Sequence, residues 1–139
     1  MEILNKVIVV TGGAGGIGLA IAKEFIKESP KIVILVDISF ENFNFKDEKI
    51  LCEECDVTNE LSFQNLIDKI NLDIGLIDIF CSNAGILSLG SEQTSNEDWS
   101  KNWNLHVMSH VFAAKKLLPE MLKRGSGYFV NTASAAGLL

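Results

Sequence analysis

Residues 7–18, VIVVTGGAGGIG, decide how this chain is read. Four β-branched apolar residues, Val7 to Val10, predict a strand buried on both faces, and the glycines after them predict a tight turn into a helix that begins near Ile17. A backbone that turns sharply and then lies against a pyrophosphate carries no Cβ at the contact points. The free amides at the helix start add hydrogen-bond donors and a partial positive charge. Gly13, Gly15 and Gly18 fit the general GxGxxG spacing, and Thr11, Gly12, Gly16 and Gly18 fit the more specific TGxxxGxG. No Lys-Ser or Lys-Thr follows, so a P-loop for nucleoside triphosphates is not supported. Strand, turn and helix in this order point to a dinucleotide site.

Moving outward, Ile17 to Ser29 carries apolar residues at Ile17, Ala20, Ile21, Phe25 and Ile26, a helical spacing that Pro30 ends. Lys31 to Asp37, KIVILVD, predicts a second buried strand terminating in a carboxylate 19 residues beyond Gly18. A dinucleotide fold places an acid at this distance, on the adenosine ribose hydroxyls. An acid there also repels a 2′-phosphate, and neither the glycine turn nor the residues directly after Asp37 supply Arg or Lys. NAD is therefore favoured over NADP.

Ile38 to Lys49 is polar with Phe40, Phe43 and Phe45 interspersed, which predicts a loop with a local packing cluster. Ile50 to Cys55 predicts a third strand ending at Asp56-Val57, with Thr58 or Asn59 capping a helix from Glu60 to Asn71 that buries Leu61, Phe63, Leu66, Ile67 and Ile70. Ile77 to Ser82 predicts a fourth strand running into Asn83-Ala84-Gly85. The box Ser95-Asn96-Glu97-Asp98 opens a helical pattern that extends to Lys123, with Pro119 expected to kink it. Tyr128 to Thr132 predicts the fifth strand. Strands and helices alternate at crossover lengths, which means a parallel α/β sheet.

The 139 residues suffice for one domain with a core, and 47% hydrophobic content with a mean hydropathy of +0.24 suits a sheet covered on both faces. No apolar run approaches the ~18 residues that cross a bilayer. MEILNK leads straight into the first strand without a basic leader or cleavage site, so the sequence predicts a cytoplasmic protein. A net charge of −6 and 12 basic residues without a stripe argue against nucleic acid or a membrane surface as partner. Cys52 and Cys55 form a CxxC, but their odd separation in a strand sends the side chains to opposite faces. His106 and His110, four apart on a helix, invite a metal reading that finds no third ligand, so no metal site is predicted. Trp99 and Trp103, one turn apart, are expected in the core or at a subunit contact.

Together these residues resemble the short-chain dehydrogenases/reductases, NAD(P)-dependent oxidoreductases with a Rossmann-type domain. TGGAGGIG matches the family's TGxxxGxG, Asp37 its NAD-selecting acid, and Asp56-Val57 its adenine-contacting strand end. Asn83-Ala84-Gly85 is similar to the second half of its NNAG motif, with Ser82 replacing the first Asn, and Gly127 to Gly137 resembles the strand carrying its catalytic serine. The resemblance implies a doubly wound parallel sheet, incomplete, of about five strands in the order 3-2-1-4-5. It implies residues 1–139 as the N-terminal, NAD-binding part of a larger single domain. Thr11, Gly12, Gly13, Gly15, Gly16, Ile17, Gly18, Asp37, Asp56, Val57, Asn83, Ala84 and Gly85 would bind the cofactor.

For catalysis the family uses a Ser, a Tyr and a Lys four residues beyond the Tyr, with a helix Asn completing a proton relay. Ser134 matches the serine. Counting forward from Trp99 and back from Pro119, the family's Asn position falls on His106. Tyr128, the single tyrosine, lacks a Lys four residues on, and the family's Tyr position would fall past Leu139. The resemblance thus implies hydride transfer between nicotinamide and a small alcohol or carbonyl substrate, and a homo-oligomer at full length. The 139 residues alone are expected to turn over no alcohol. A non-catalytic dinucleotide-binding module is the alternative. A methyltransferase using S-adenosylmethionine is disfavoured by the TGxxxGxG spacing, the NAG and the serine strand.

Overall fold

A computed structural model describes residues 2–135. The strands β1 (Val7–Thr11), β2 (Ile32–Asp37), β3 (Ile50–Glu54), β4 (Ile79–Ser82) and β5 (Tyr128–Asn131) form one parallel sheet in the order β3-β2-β1-β4-β5. The α/β architecture is the Rossmann-type order expected from the sequence. Reversal of strand order between β1 and β4 opens a crevice at the carboxyl ends of the strands, the place where open α/β sheets bind ligands.

Helix α1 (Gly16–Lys27) covers one face over Ile8, Val10, Val33 and Leu35. Helix α2 (Glu60–Asp73) and helix α4 (Ser109–Arg124) cover the other over Val9, Ile34, Val36 and Phe80. Every residue of β1 is buried, because the strand is central and covered on both faces. Asn59 caps α2, its side chain accepting from the Ser62 amide at 3.0 Å. On α2, Phe63, Leu66, Ile67 and Ile70 are buried, each stabilising the fold by roughly 1.5–3 kcal/mol as an upper estimate. Leu61, expected among them, is 70% exposed, since the second position of the helix faces away from the sheet. Similarly, Ile17 on α1 is exposed and Ala22 is the apolar residue of that helix that is fully buried.

The segment after β2 packs as a cluster: Phe40 and Phe43 meet edge to face at 5.3 Å, and the Lys23 ammonium lies 4.7 Å from the centre of the Phe45 ring. Cys52 packs against the α1 side of the sheet and Cys55 against the α2 side, and both thiols are free.

The long helical pattern is not one α-helix. It consists of α3 (Asn96–Trp103), a π-helical stretch Asn104–Met108, and α4. Within the π turn the Ser109 amide reaches back to the Asn104 carbonyl. The buried Ser109 hydroxyl donates to the Leu105 carbonyl at 2.6 Å, a side-chain competitor for the backbone ladder. The polar/apolar pattern is blind to this one-residue widening, which is why the sequence predicts a single helical pattern to Lys123 with distortion expected only at Pro119. Trp99 and Trp103 are 62% and 59% exposed, so the core placement is corrected: α3 stands clear of the sheet.

Candidate functional site

β1 delivers Thr11 and the glycine turn to the crevice. The Thr11 side chain is 3% exposed, and its hydroxyl donates to the Cys81 carbonyl at 3.3 Å while accepting from the Asn83 and Ala84 amides at 2.9 and 3.0 Å. Asn83 answers by donating from Nδ2 to the Thr11 carbonyl at 3.1 Å and accepting from the Thr132 hydroxyl at 2.9 Å. These bonds tie the carboxyl ends of β1, β4 and β5 together.

Three glycines of the turn, Gly12, Gly13 and Gly18, are required by close approach. Gly12 has φ +67°, and a Cβ there would meet the Ala84 Cα at 2.9 Å; a Cβ on Gly18 would meet the Gly12 carbonyl oxygen at 2.1 Å. Gly13 packs on Leu35, whereas around Gly15 and Gly16 the space is open. The turn is joined to β2 by the Gly13 amide, which donates to the Val36 carbonyl at 3.2 Å. The Ala14 amide donates to Asp37 Oδ2 at 2.9 Å, and the Ile38 amide donates to Oδ1 at 2.8 Å. Asp37 is thereby oriented by the turn itself.

The crevice is a cleft of about 640 Å³, within the range of cofactor sites. Gly12, Gly15, Gly16, Ile17 and Asp37 line one part of it, with Asp56 and Val57 beside them, and Asn83, Ala84, Gly85 and His106 line the other. Thr11, Gly13 and Gly18 stand behind this wall as its support. Asp56 accepts from the Thr58 amide and hydroxyl at 2.9 and 2.7 Å, which fixes the turn after β3.

Sequence reasoning missed Val36, Ile38, Cys55, Ile86, Leu87, Leu105 and Thr132 as wall residues. Most are apolar neighbours of residues it named, and position next to a motif was the available signal. The Cys55 thiol is pushed up by its partial burial and by Asp56 and Glu53, which keeps it protonated. Ser134 is exposed, two residues beyond the cleft-lining Thr132. Ala136 and Gly137, the end of the serine motif, lie outside the described residues.

His106 reaches the cleft from the π turn. Its Nε2 lies 3.1 Å from the Ile86 carbonyl oxygen and 3.4 Å from the Ile86 amide nitrogen. A Cβ on Gly85 would meet its Cε1 at 2.9 Å. His110, one turn further on, is partly buried, and that burial, with His106 nearby, sets its pKa below the ordinary histidine value although the Asn131 side chain favours the charged form. Among the described residues no group of three or more His, Cys, Asp or Glu could hold a metal ion, and no helix is long and apolar enough to cross a membrane.

The family model for short chain dehydrogenases matches residues 6–139. Meso-2,3-butanediol dehydrogenase of Serratia marcescens is 33% identical over 144 residues, covering 99% of this chain and 57% of that enzyme. The crystal structure of a short-chain dehydrogenase from Streptomyces avermitilis superposes with a TM-score of 0.91 at 28% identity, covering all of this chain and 53% of its own. L-Sorbose reductase of Gluconobacter frateurii, solved in complex with NADPH and L-sorbose, gives 0.86 at 30% identity, covering 99% and 56%. The chain spans little more than half the length of these relatives.

Proposed function

The chain belongs to the short-chain dehydrogenase family, and from that premise we propose that it is the dinucleotide-binding portion of an NAD-dependent oxidoreductase acting on a small alcohol or carbonyl compound. The observation that carries this is the Asp37 carboxylate at the cleft wall, held by the Ala14 and Ile38 amides, with no Lys or Arg among the described residues that line the cleft. The residues present fit a dinucleotide: the open space over Gly15 and Gly16 leaves backbone at the start of α1 free to meet a pyrophosphate.

In this reading Gly12, Gly15, Gly16 and Ile17 hold the pyrophosphate, and Asp37 accepts from the adenosine ribose hydroxyls. Asp56 and Val57 border the adenine, and Asn83, Ala84 and Gly85 line the nicotinamide end. Thr11, Gly13 and Gly18 keep the turn in shape. A bound nicotinamide would supply the acceptor or donor of a hydride. Ser134 would polarise the substrate oxygen, and His106 occupies the position of the family's relay asparagine. One relative was solved with NADPH, so the preference for NAD rests on Asp37 alone.

The 139 residues hold no Tyr with a Lys four positions on. A tyrosine with an ordinary pKa of ~10 needs such a cation to exchange a proton near neutrality. By themselves these residues therefore bind a dinucleotide and turn over no alcohol; a non-catalytic binding module has the same residues in its favour. Calorimetric titration with NAD and NADP decides the cofactor part: tighter NAD binding, reversed or levelled by Asp37→Arg, is expected, and equal affinities in the wild type overturn it. Detectable NAD-dependent oxidation of an alcohol by the 139-residue chain overturns the claim of inactivity.

A further inference from the structure

The loop between β4 and α3 folds around a second hollow, of about 610 Å³, beside the end of the cleft that Gly85 and His106 line. Leu87 belongs to the cleft wall, and Ser88, the next residue, to the wall of the hollow. Opposite them Leu105 and His106 line the cleft, while Asn102, one turn earlier, lines the hollow. The Asn102 side chain ties loop to helix, Nδ2 donating to the Ser88 hydroxyl at 3.0 Å and to the Asp98 carbonyl at 2.8 Å.

Internal bonds hold the loop in this shape. The Thr94 hydroxyl donates to the Ser91 carbonyl at 2.7 Å and accepts from the Ser91 amide at 3.1 Å, and a Cβ on Gly90 would meet that hydroxyl at 2.1 Å. At the start of α3 the Ser95 hydroxyl donates to Asp98 Oδ2 at 2.9 Å and accepts from the Asp98 amide at 3.1 Å.

What these bonds leave over defines the ligand. Glu92 and Asp98 line the hollow, and among the described residues neither forms an ion pair with a Lys or Arg. The Glu92 carboxylate, Asp98 Oδ1 and the Asn102 side-chain oxygen are open acceptors, since Asp98 spends Oδ2 on Ser95 and Asn102 spends its amide protons on Ser88 and Asp98. The Ser88 and Ser91 hydroxyls accept from Asn102 and from the Gln93 amide, which leaves their protons to donate. Trp99 lines the same hollow, 62% exposed. An ammonium ligand accepts nothing and leaves the serine donors idle. An aliphatic ligand strips water from the carboxylates and replaces none of it, at a cost. Neighbouring hydroxyls on a carbon chain use donors and acceptors alike, and the electron-poor C–H bonds between them suit the negative face of an indole.

We propose that this hollow is a subsite for polyhydroxy compounds, with Glu92, Asp98 and Asn102 accepting from vicinal hydroxyls and Trp99 packing against the carbon chain. It rests on the reading of the chain as part of an alcohol or carbonyl oxidoreductase and names the substrate class of that reading: polyols and the sugars related to them, the reacting carbon in the cleft and the remaining hydroxyls in the hollow.

The test is saturation-transfer NMR titration of the chain with D-mannitol, cyclohexanol and tetramethylammonium, and of the same samples with NAD. Mannitol is expected to bind saturably in the millimolar range, and to shift the fluorescence of Trp103→Phe, in which Trp99 is the remaining tryptophan. Glu92→Gln weakens mannitol about fivefold, the loss of a hydrogen bond to a charged acceptor, and Trp99→Ala at least as much, while NAD affinity stays within about twofold. No saturable mannitol binding, binding of cyclohexanol or tetramethylammonium as tight as that of mannitol, or mannitol affinity indifferent to Glu92→Gln overturns the subsite. If Trp99→Ala does not fold, Glu92→Gln decides alone. Mannitol binding without NAD binding keeps the subsite and removes the dinucleotide reading; NAD binding without mannitol binding does the reverse.

Discussion

β1 and β5 are both parallel strands of one sheet, yet β1 is buried at every residue while β5 exposes Tyr128 at 51% and Val130 at 39%. β1 has a strand on each side and helices on both faces. β5 pairs with β4 and, among the described residues, with nothing beyond it. On the β1 side the functional backbone is held by packing and close approach of glycines. On the β5 side it is held by polar ties, the Thr132 hydroxyl to Asn83 and the Thr132 amide to the Ser82 carbonyl, beside a helix whose Val111, Leu118 and Leu122 face outward. Rigidity at one end of the cleft is therefore steric, and at the other it depends on hydrogen bonds.

Gly18→Val gives the largest effect and attacks the steric end. The added side chain runs into the Gly12 carbonyl, which cannot yield without moving the turn, so unfolding free energy falls by about 3 kcal/mol or more in urea denaturation. A loss below ~1 kcal/mol would show that this turn is as adaptable as the β5 end. Thr11→Val follows. It leaves the amides of Asn83 and Ala84 without their acceptor and costs about 2 kcal/mol, read from the same denaturation curves. Because Thr11 links the two ends, its variant should also speed amide exchange at Ala84 more than at Val9.

Asp37→Ala is expected to weaken NAD binding about tenfold through the lost ribose hydrogen bonds. It should leave S-adenosylmethionine without detectable affinity, and competition between labelled ligands checks both. A smaller effect comes from pH. The His110 pKa lies below its unfolded value, so the unfolded chain binds the proton first as pH falls. That contribution to stability is complete above pH ~6.5 and is lost progressively below it, through the lowered pKa of the folded state. Thermal melts from pH 7.5 to 5 should fall less steeply in His110→Gln than in the wild type; parallel slopes would show that the fold does not desolvate His110. Smallest of all, Trp99→Ser and Trp103→Ser should change the stability of the isolated chain by no more than about 0.5 kcal/mol, as substitutions on an open surface. A larger loss would mean that α3 is covered in solution.

Much of the β1 end was legible in advance. VIVVTGGAGGIG fixes strand, turn and helix by local chemistry, and Asp37 stands at a spacing that a two-strand unit imposes. The α2 core was legible as well, apart from Leu61, because helical period and burial coincide there. At the other end the pattern gave one long helix where three segments occur, and of the two placements it offered for Trp99 and Trp103, core or subunit contact, the core one falls. A π turn adds one residue without altering composition. A tryptophan at helical spacing looks the same whether or not a neighbouring element covers it.

By itself, then, the amino-acid order determined the alternation of strands and helices, their parallel sense, the glycine turn and the acid that faces it, since each depends on contacts close in sequence or on strict periodicity. Only the tertiary structure decided which named glycines touch the cleft and which brace it from behind, that the Thr11 hydroxyl serves three partners, and that His106 meets the peptide of Ile86. Those outcomes depend on groups between 20 and 73 residues apart meeting at ångström range. Local pattern carries no information about such meetings, because the approach of two strand ends is set by the packing of the whole sheet.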